Sequence, residues 1–318
     1  MLDIRKIKWR KWILVAVVTV AVVMTAFAVY LVDYSLDYPV EERRSAEEQT
    51  EIVEKECPWI VGWVDSVKRC HALRDTFVQM KSGYKAHALY VPARKPSPNT
   101  ALVVHGYKCS AERMLHIAYL YHHDMGYNVL LPDLYGHGRS EGDHIQMGWL
   151  DRWDVLQWAD VAQRLFGSTG MVMHGISMGA ATVMCAAGEN TPGYVKCFVE
   201  DCGYTFVWEE FEAQLKAQFG LDGFPLMDMA NQVCWMKYDW PFLDACPREQ
   251  VGKCHKPMLF IHGDKDDYVP TWMVYDLYKA KPGVRQLYIG RGSAHAYSYR
   301  DHRDEYTRTV ARFVSSAM

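Results

Sequence analysis

Short apolar runs recur from residue 101 onward, each bounded by turn-forming residues. In chain order they are ALVVHG, NVLLPD, MVMHG, KCFVED, PMLFIHG and RQLYIG. Each has the length of one strand that is buried on both faces, and longer helical patterns separate them. This alternation predicts a parallel sheet covered by helices. Upstream, TFVQM and AHALYVP flank the turn-like segment KSGYK and predict an antiparallel hairpin.

The segments between the predicted strands carry helical periodicity. The predicted helices cover residues 112–123, 147–166, 177–188, 272–280 and 300–314. From about residue 204 to residue 252 the alternation stops, and the sequence is rich in aromatic residues and methionine without a clear strand. We expect a helical cap insertion over the sheet, whose apolar side chains line an acyl pocket or form ordinary core.

The N-terminal pattern is of a different kind. Residues 12–32 contain no charged side chain, and as a helix they span about 30 Å, the hydrocarbon thickness of a bilayer. The basic residues that precede this run are Arg5, Lys6, Lys8, Arg10 and Lys11, and the acidic residues that follow it are Asp33, Asp37, Glu41 and Glu42. By the positive-inside rule we expect residues 1–11 in the cytoplasm, a single transmembrane helix at 12–32, and the remainder outside the cell membrane.

A second interpretation of the same run is a cleaved signal peptide, with Ala26 and Ala28 at the cleavage site. It would give a secreted protein, although the apolar run is longer than the usual core of a signal peptide. Residues 33–55 are rich in charge, and we expect a polar stalk or a short helix leading away from the membrane. Residues 56–318 then form the folded domain.

Composition excludes some functions. With 318 residues, 50% hydrophobic and 23% charged, the chain is of ordinary globular type. A net charge of -3, without a basic cluster in the folded part, argues against nucleic acid as a partner.

All nine cysteines follow the apolar run, and their odd number leaves at least one thiol unpaired in a monomer. Cys57 with Cys70, or pairs among Cys234, Cys246 and Cys254, could form disulfides, and the sequence does not decide between them. No C-x-x-C or zinc-ligand spacing is present, so we expect no metal site.

The segment GISMG, residues 175–179, joins a predicted strand to a predicted helix. A sharp corner of this kind strains its central residue and requires small neighbours, which Gly175 and Gly179 supply. Ser177 would project at the amino end of the helix, where developing negative charge is stabilised. A neutral serine is a weak nucleophile, so it also needs a base.

Two later strand ends supply the partners. Asp266 follows PMLFIHG, and His295 follows RQLYIG, so the chain order is serine, acid, histidine. Asp264 and Asp267 flank the acid and are expected to be solvated loop charges. Asp201, after KCFVED, is the alternative acid.

Four motifs resemble those of a known family. They are HGYKCS, DLYGHGRSEG, GISMG, and HGDKDDYVP together with SAH. Over residues 65–315 the chain resembles the α/β-hydrolase superfamily, in its serine-esterase, monoacylglycerol-lipase-like and serine-aminopeptidase-like branch. The resemblance implies an α/β-hydrolase fold with a mostly parallel, doubly wound sheet. It also implies Ser177 as nucleophile, His295 as general base and Asp266 as the orienting acid. The backbone N–H groups of Tyr107 and Met178 would form the oxyanion hole, with no cofactor.

Ser177 stands at the sharp turn between strand and helix, where some relatives have a carboxylate nucleophile, so those relatives are disfavoured. The segment HGYK also differs from the HGGG and HGGPG patterns of two other branches. The sequence therefore favours a membrane-anchored carboxylesterase that cleaves a small or lipid-like ester through an acyl-enzyme. Hydrolysis of a peptide-like amide is the alternative within enzymes. A tethered binding protein without activity is the alternative of another class.

Overall fold

The computed structural model describes the chain from Ile4 to Met318, with side chains at Trp9 and from Lys11 onward. Its strands are β1 Arg74–Gln79, β2 Lys85–Val91, β3 Asn99–Val104, β4 Asn128–Pro132, β5 Gly170–Ile176, β6 Val195–Asp201, β7 Met258–Gly263 and β8 Arg285–Gly290. They form one sheet in the order β1-β2-β4-β3-β5-β6-β7-β8. β1 and β2 form the predicted antiparallel hairpin, β2 pairs antiparallel with β4, and every later pairing is parallel.

Helices cover both faces of the sheet. They are α1 Ile4–Leu36, α2 Ala46–Glu56, α3 Val61–Arg69, α4 Leu115–Tyr119, α5 Asp151–Phe166, α6 Met178–Ala187, α7 Val207–Phe219, α8 Leu226–Tyr238, α9 Pro247–Lys253, α10 Trp272–Ala280, α11 Ser298–Asp301 and α12 Arg303–Ala317. One apolar core lies between the sheet and α5, α6 and α10, and a second lies between the sheet and α3, α4 and α12. Strands β4, β5 and β7 are buried along their whole length because both faces are covered. The mostly parallel, doubly wound sheet is therefore confirmed.

Three predicted helices differ from the structure. The segment predicted at 300–314 is divided at His302 between α11 and α12. The segment predicted at 112–123 is divided into a 3-10 turn at Ala111–Met114, the short α4, and a π-helical turn at Leu120–Asp124. The helix predicted from Met147 begins at Asp151, because Met147 and Gly148 have positive φ angles of 49° and 77°. A right-handed helix cannot include such residues.

The insertion at 204–252 is helical, as expected. α7, α8 and α9 account for most of it, with a 3-10 turn at Phe242–Asp244 between the last two. Phe211 of α7 lines a cavity and Trp240 lies in the buried core, while Leu215 and Phe242 belong to the core and line the cavity as well. The aromatic residues of the insertion thus include both cavity-lining and core side chains.

The N-terminal apolar run is part of one continuous helix, α1. The stretch Lys11–Leu36 is long and apolar enough to cross a membrane, a test that signal sequences also pass. Most of the segment predicted to be cytoplasmic, 1–11, lies outside the described residues. Residues 1–3 are not described, and the side chains of residues 4–8 and 10 are not described either.

Residues 33–55, expected to form a polar stalk or a short helix leading away from the membrane, pack on the domain. Tyr38 is buried and its backbone N–H donates to the Asp143 carbonyl at 2.8 Å. α2 is capped by Ser45 in a capping box, and it buries Thr50 and Val53 against the domain. Arg43 Nη1 also donates to the Ser140 carbonyl at 2.8 Å. The short helix that was one of the two expectations is thus present as α2, and the segment packs on the domain.

The cysteines form no disulfide in the described chain, which includes all nine of them. Cys57 is buried and Cys70 is exposed, and Cys234, Cys246 and Cys254 are each buried and unpaired. The bridges considered from the sequence are therefore not formed.

Candidate active site

Ser177 occupies a strained corner between β5 and α6. Its φ and ψ angles are 58° and -121°, a region that residues with a side chain rarely adopt. The flanking glycines are required by contact rather than by their own torsion angles. A Cβ on Gly175 would lie 2.0 Å from the Gly179 carbonyl oxygen, and one on Gly179 would lie 2.1 Å from that of Val104. The motif GISMG is thus explained by close packing of strand, helix and the neighbouring β3.

The structure brings Ser177, His295 and Asp266 together. His295 Nε2 lies 2.9 Å from Ser177 Oγ, and His295 Nδ1 lies 2.7 Å from Asp266 Oδ2. Ser177 and Asp266 are separated by 89 positions in the sequence, and each stands at the carboxyl end of a different strand. With the ring proton on Nδ1, the imidazole donates to the carboxylate and accepts from the serine hydroxyl.

Asp266 is held as a carboxylate by several donors. Burial by itself raises its pKa, but hydrogen bonds from His262 and His295 outweigh burial and lower the pKa to about 2. The other oxygen, Oδ1, accepts from the backbone N–H groups of Tyr268 at 3.0 Å and Val269 at 2.9 Å. A carboxylate fixed at both oxygens orients the imidazole firmly.

The alternative acids have other partners. Asp201 Oδ2 accepts from the Tyr306 hydroxyl at 2.8 Å, and burial raises the pKa of Asp201 to about 6, a shift that this hydrogen bond partly offsets. Its backbone carbonyl accepts from the Ser177 N–H, which helps to fix the elbow. Asp264 and Asp267 are exposed, as expected of loop charges.

The two residues expected at the oxyanion position line the same cavity as Ser177. Met178 is the first residue of α6, so its backbone N–H has no partner within the helix. Tyr107 follows β3 in a turn closed by the Cys109 N–H, which donates to the Gly106 carbonyl at 3.2 Å. The Tyr107 hydroxyl donates to the Ser35 carbonyl at the end of α1, at 2.6 Å.

Ser177 stands at the junction of two cavities. The first, here called the cap-side cavity, has a volume of about 200 Å³ and lies between Ser177 and α7. The second, the histidine-side cavity, has a volume of about 260 Å³ and is lined by His295 and by the ion pair of Arg113 with Glu56, whose N–O distance is 2.7 Å. A substrate with two parts can therefore extend on both sides of the hydroxyl.

Glu210 was not singled out from the sequence, although it lines the cap-side cavity. Its side chain is buried, with Oε1 accepting from Gln214 Nε2 at 3.1 Å and Oε2 without a partner among the described residues. Burial and the charge of Asp266 raise its pKa to about 8, despite the bond from Gln214. Its neighbours Glu209 and Glu212 share the same sequence pattern, so no signal in the sequence distinguishes it.

Tyr268 and the end of α1 are the other contributors that the sequence did not indicate. The Tyr268 ring lies 5.1 Å from the His295 ring, between centroids, and lines both cavities. Its position two residues after Asp266 is a signal that could have found it. Tyr34 and Ser35 of α1 also line the cap-side cavity, and an apolar N-terminal helix gives no sign of this in its sequence.

One group in the described chain has the composition of a metal site. Cys202, Asp266 and His295 offer ligand atoms that lie within 4.8 Å of one another. Burial raises the pKa of Cys202 well above its usual value, and the metal-binding form of cysteine is the thiolate. His295 Nδ1 already bonds to Asp266, so this group fits a hydrogen-bonded relay better than a metal centre.

Comparisons with sequences agree with this architecture. The family described as serine aminopeptidase, S33, matches residues 96–209, which include Tyr107 and Ser177 but neither Asp266 nor His295. Among curated proteins, YqkD of Bacillus subtilis (strain 168) is 29% identical over 256 residues, covering 77% of this chain and 83% of that protein.

Solved structures resemble the chain in fold. The esterase Pf2001 of Pyrococcus furiosus has a TM-score of 0.64 at 19% identity, covering 79% of this chain and 94% of that one. Est1E of Butyrivibrio proteoclasticus, solved with ferulic acid bound, has a TM-score of 0.59 at 21% identity, covering 76% and 98%. Acylaminoacyl peptidase of Pyrococcus horikoshii has a TM-score of 0.58 at 16% identity, covering 77% and 42%.

The strand order, the helices on both faces and the strained serine after β5 define an α/β-hydrolase fold. The chain shares this fold with solved esterase and peptidase structures, and its residues 96–209 match the family described as serine aminopeptidase, S33.

Proposed function

We propose that the protein is a membrane-anchored carboxylesterase in which Ser177 is the nucleophile, His295 the general base and Asp266 the orienting acid. The observation that carries this proposal is the continuous set of hydrogen-bond distances, 2.9 Å from Ser177 Oγ to His295 Nε2 and 2.7 Å from His295 Nδ1 to Asp266 Oδ2. A buried serine hydroxyl bonded to an imidazole, which is itself fixed by a carboxylate, is the arrangement that acyl transfer requires.

The reaction proceeds in two acyl transfers. Ser177 Oγ attacks the ester carbonyl while His295 Nε2 accepts the hydroxyl proton, and a tetrahedral oxyanion forms. His295 returns that proton to the leaving alcohol as the C–O bond breaks, which leaves an acyl-enzyme. Water then attacks the acyl carbonyl, with His295 again taking and returning the proton, and releases the acid and free Ser177. Asp266 stays ionised throughout and stabilises the imidazolium.

The backbone N–H groups of Met178 and Tyr107 are proposed to hold the oxyanion. The first turn of α6 supports this role for Met178, because its amide points out of the helix end toward developing negative charge. Tyr107 is proposed as the second donor because its turn lines the same cavity as Ser177. Loss of one such donor costs about 3 kcal/mol of transition-state stabilisation.

The two cavities suggest how an ester lies in the site. The leaving alcohol must be within reach of His295, so it is assigned to the histidine-side cavity, where Arg113 and Glu56 supply polar contacts. The acyl group is assigned to the cap-side cavity with Phe211 and Met147. Glu210 in that cavity is mostly protonated at neutral pH, because its pKa is raised to about 8. A neutral carboxyl favours an uncharged ester over a substrate with a free ammonium group.

The anchoring part of the proposal rests on the apolar run within α1. Residues 12–32 are proposed to cross the cell membrane, with residues 1–11 in the cytoplasm and the hydrolase domain outside. Every residue from Lys11 to Val23 is exposed, which suits contact with lipid and does not suit a buried core helix. Residues 33–55 are proposed to join this anchor to the domain as a packed connection.

The full-length protein should release p-nitrophenol from p-nitrophenyl butyrate with an initial burst that matches the enzyme concentration. Ser177→Ala should remove the burst and lower kcat by about 10³-fold or more. Ser316→Ala, which changes an exposed serine far along α12, is the matched control and should retain both. A Ser177→Ala enzyme with the full burst would overturn the proposal, and absence of any ester turnover by the parent protein would favour the tethered binding protein.

A further inference from the structure

The exterior half of α1 packs on the cap with one face. From residue 24 to residue 36 the covered positions recur at helical spacing, and they are Met24, Phe27, Ala28, Leu31, Val32, Ser35 and Leu36. The partners belong mainly to α7 and α8. The Phe27 and Phe219 rings lie 6.4 Å apart, and Lys237 Nζ bonds to Asp33 Oδ1 at 2.7 Å and to Asp37 Oδ1 at 2.9 Å. The helix and the cap therefore form one packed unit.

The exposed half of α1 is too short to cross a bilayer alone. Lys11–Val23 contains 13 exposed residues, which span about 20 Å as a helix, against a hydrocarbon thickness of about 30 Å. The first charged residue after the apolar run is Asp33. The covered stretch from Met24 to Val32 must then lie within the hydrocarbon layer as well, and the cap residues that cover it must lie in the exterior leaflet.

The loop between α7 and α8 is suited to that position. Phe219 and Leu221 are each 37% exposed and Phe224 is 85% exposed, a cluster that is costly in water and favourable in a bilayer. Phe219 also contacts Phe27 and Tyr34, which ties this loop to the covered stretch of α1.

A third cavity connects this region to the site. The anchor-side cavity has a volume of about 50 Å³ and lies between α1, α7 and α8, with Leu31 and Val32 on one wall and Met227 and Ala230 on the other. It shares Tyr34, Ser35, Phe211, Gln214 and Gln218 with the cap-side cavity at Ser177. The two cavities therefore adjoin through a mostly polar shared wall with Phe211 as its apolar member, and the anchor-side cavity beyond it is lined by apolar side chains of α1 and α8.

We propose that α1 is a wall of the acyl-binding site, and that the substrate is a long-chain lipid ester whose acyl chain enters from the exterior leaflet between α1 and α7. The chain would pass Leu31 and Val32, and its ester group would reach Ser177 beside Tyr34 and Ser35. Across this seam the Tyr34 hydroxyl donates to Gln218 Oε1 at 3.1 Å, and Phe219 contacts Phe27 and Tyr34, so these contacts must separate for the chain to enter. This inference rests on the proposed function, because it names the substrate class of the same site.

The test compares p-nitrophenyl palmitate with p-nitrophenyl acetate, using full-length protein in dioleoylphosphatidylcholine vesicles. Val32→Phe fills the anchor-side cavity, so kcat/KM for the palmitate should fall about ten-fold or more while that for the acetate changes by less than about two-fold. Val23→Phe is the matched control: the same substitution on the same helix, at a position that is 61% exposed, should alter neither value. Ala230→Leu fills the cavity from α8 and should reproduce the selective loss.

A second arm needs no variant. Palmitate ester placed in the same vesicles as the enzyme should be cleaved about ten-fold faster or more than ester held in separate vesicles, because a long acyl chain leaves a bilayer slowly. Equal rates in the two arrangements, or an unchanged palmitate-to-acetate ratio in active Val32→Phe and Ala230→Leu proteins, would overturn the inference. Failure of the parent protein to cleave even the acetate would instead reject the proposed function.

Discussion

The protonation state of Glu210 determines whether the wall of the cap-side cavity carries a negative charge. It stands among Phe211, Met147 and Tyr204 in the wall of the cap-side cavity, where a charged carboxylate would lose its hydration. Burial therefore raises its pKa to about 8, and the charge of Asp266 acts in the same direction. At neutral pH the two buried carboxyls of the site are in different states: Asp266 is ionised and Glu210 is mostly protonated.

This difference predicts a pH-dependent stability effect for Glu210→Gln. An unfolded glutamate has a pKa of about 4.3, so the folded protein holds the Glu210 proton more tightly, and stability is lost as the pH rises from about 4 toward 8. Glutamine removes that loss. The variant should melt at nearly the parent temperature at pH 4.5 and at a clearly higher temperature at pH 8, measured by thermal unfolding in detergent.

Glu212→Gln, an exposed change on the same helix, is the control and should give the same difference from the parent at both pH values. A Glu210→Gln difference that does not grow with pH would mean that Glu210 is ionised in the folded protein. An ionised Glu210 would favour a substrate that carries an ammonium group.

Among the helices, α1 has one property that its sequence predicts, the apolar run, and one that it does not, the packing of its second half on the cap. The apolar run at 12–32 was evident because its length and flanking charges are properties of the sequence. Its packing was not, since residues 24–32 are as apolar where they face the cap as where they face lipid. A helix without a polar face carries no pattern to distinguish the two environments. Residues 33–55 likewise gave no sign of their packing, because the segment is rich in charge although Tyr38 and Val53 within it are buried.

The anchor itself is open to a direct test. If α1 crosses the bilayer as proposed, full-length protein should stay in the membrane pellet after washing with alkaline carbonate. Val20→Arg with Val22→Arg should move the protein to the supernatant, since each arginine at mid-helix costs about 2.5–3.5 kcal/mol of insertion. Val20→Leu with Val22→Leu is the matched control and should remain in the pellet. Release of parent protein that begins near Val29 would support the cleaved signal peptide instead.

At the scale of the whole molecule, the sheet was predictable because its strands are short, apolar and bounded by turn residues. The candidate site followed from the sheet, since Ser177, Asp266 and His295 come directly after strands whose carboxyl ends lie on one edge. The cavity walls were not predictable in this way. Glu210 and Tyr34 reach Ser177 only through the packing of the cap and of α1, and no local pattern encodes a contact between elements so far apart in the chain.

If Ser177, His295 and Asp266 act as one relay, the effect of changing Asp266 must depend on the presence of His295, and a double substitution measures that dependence. Asp266→Asn alone should lower kcat for p-nitrophenyl butyrate by about 10³–10⁴-fold, because the imidazole loses the partner that orients it, whereas the exposed Asp267→Asn should have little effect. In a His295→Ala background, Asp266 no longer has an imidazole to orient. In that background we predict that Asp266→Asn changes kcat by less than about two-fold. A further loss of about 10³-fold in the double variant would show that Asp266 acts independently of His295 and would contradict the relay.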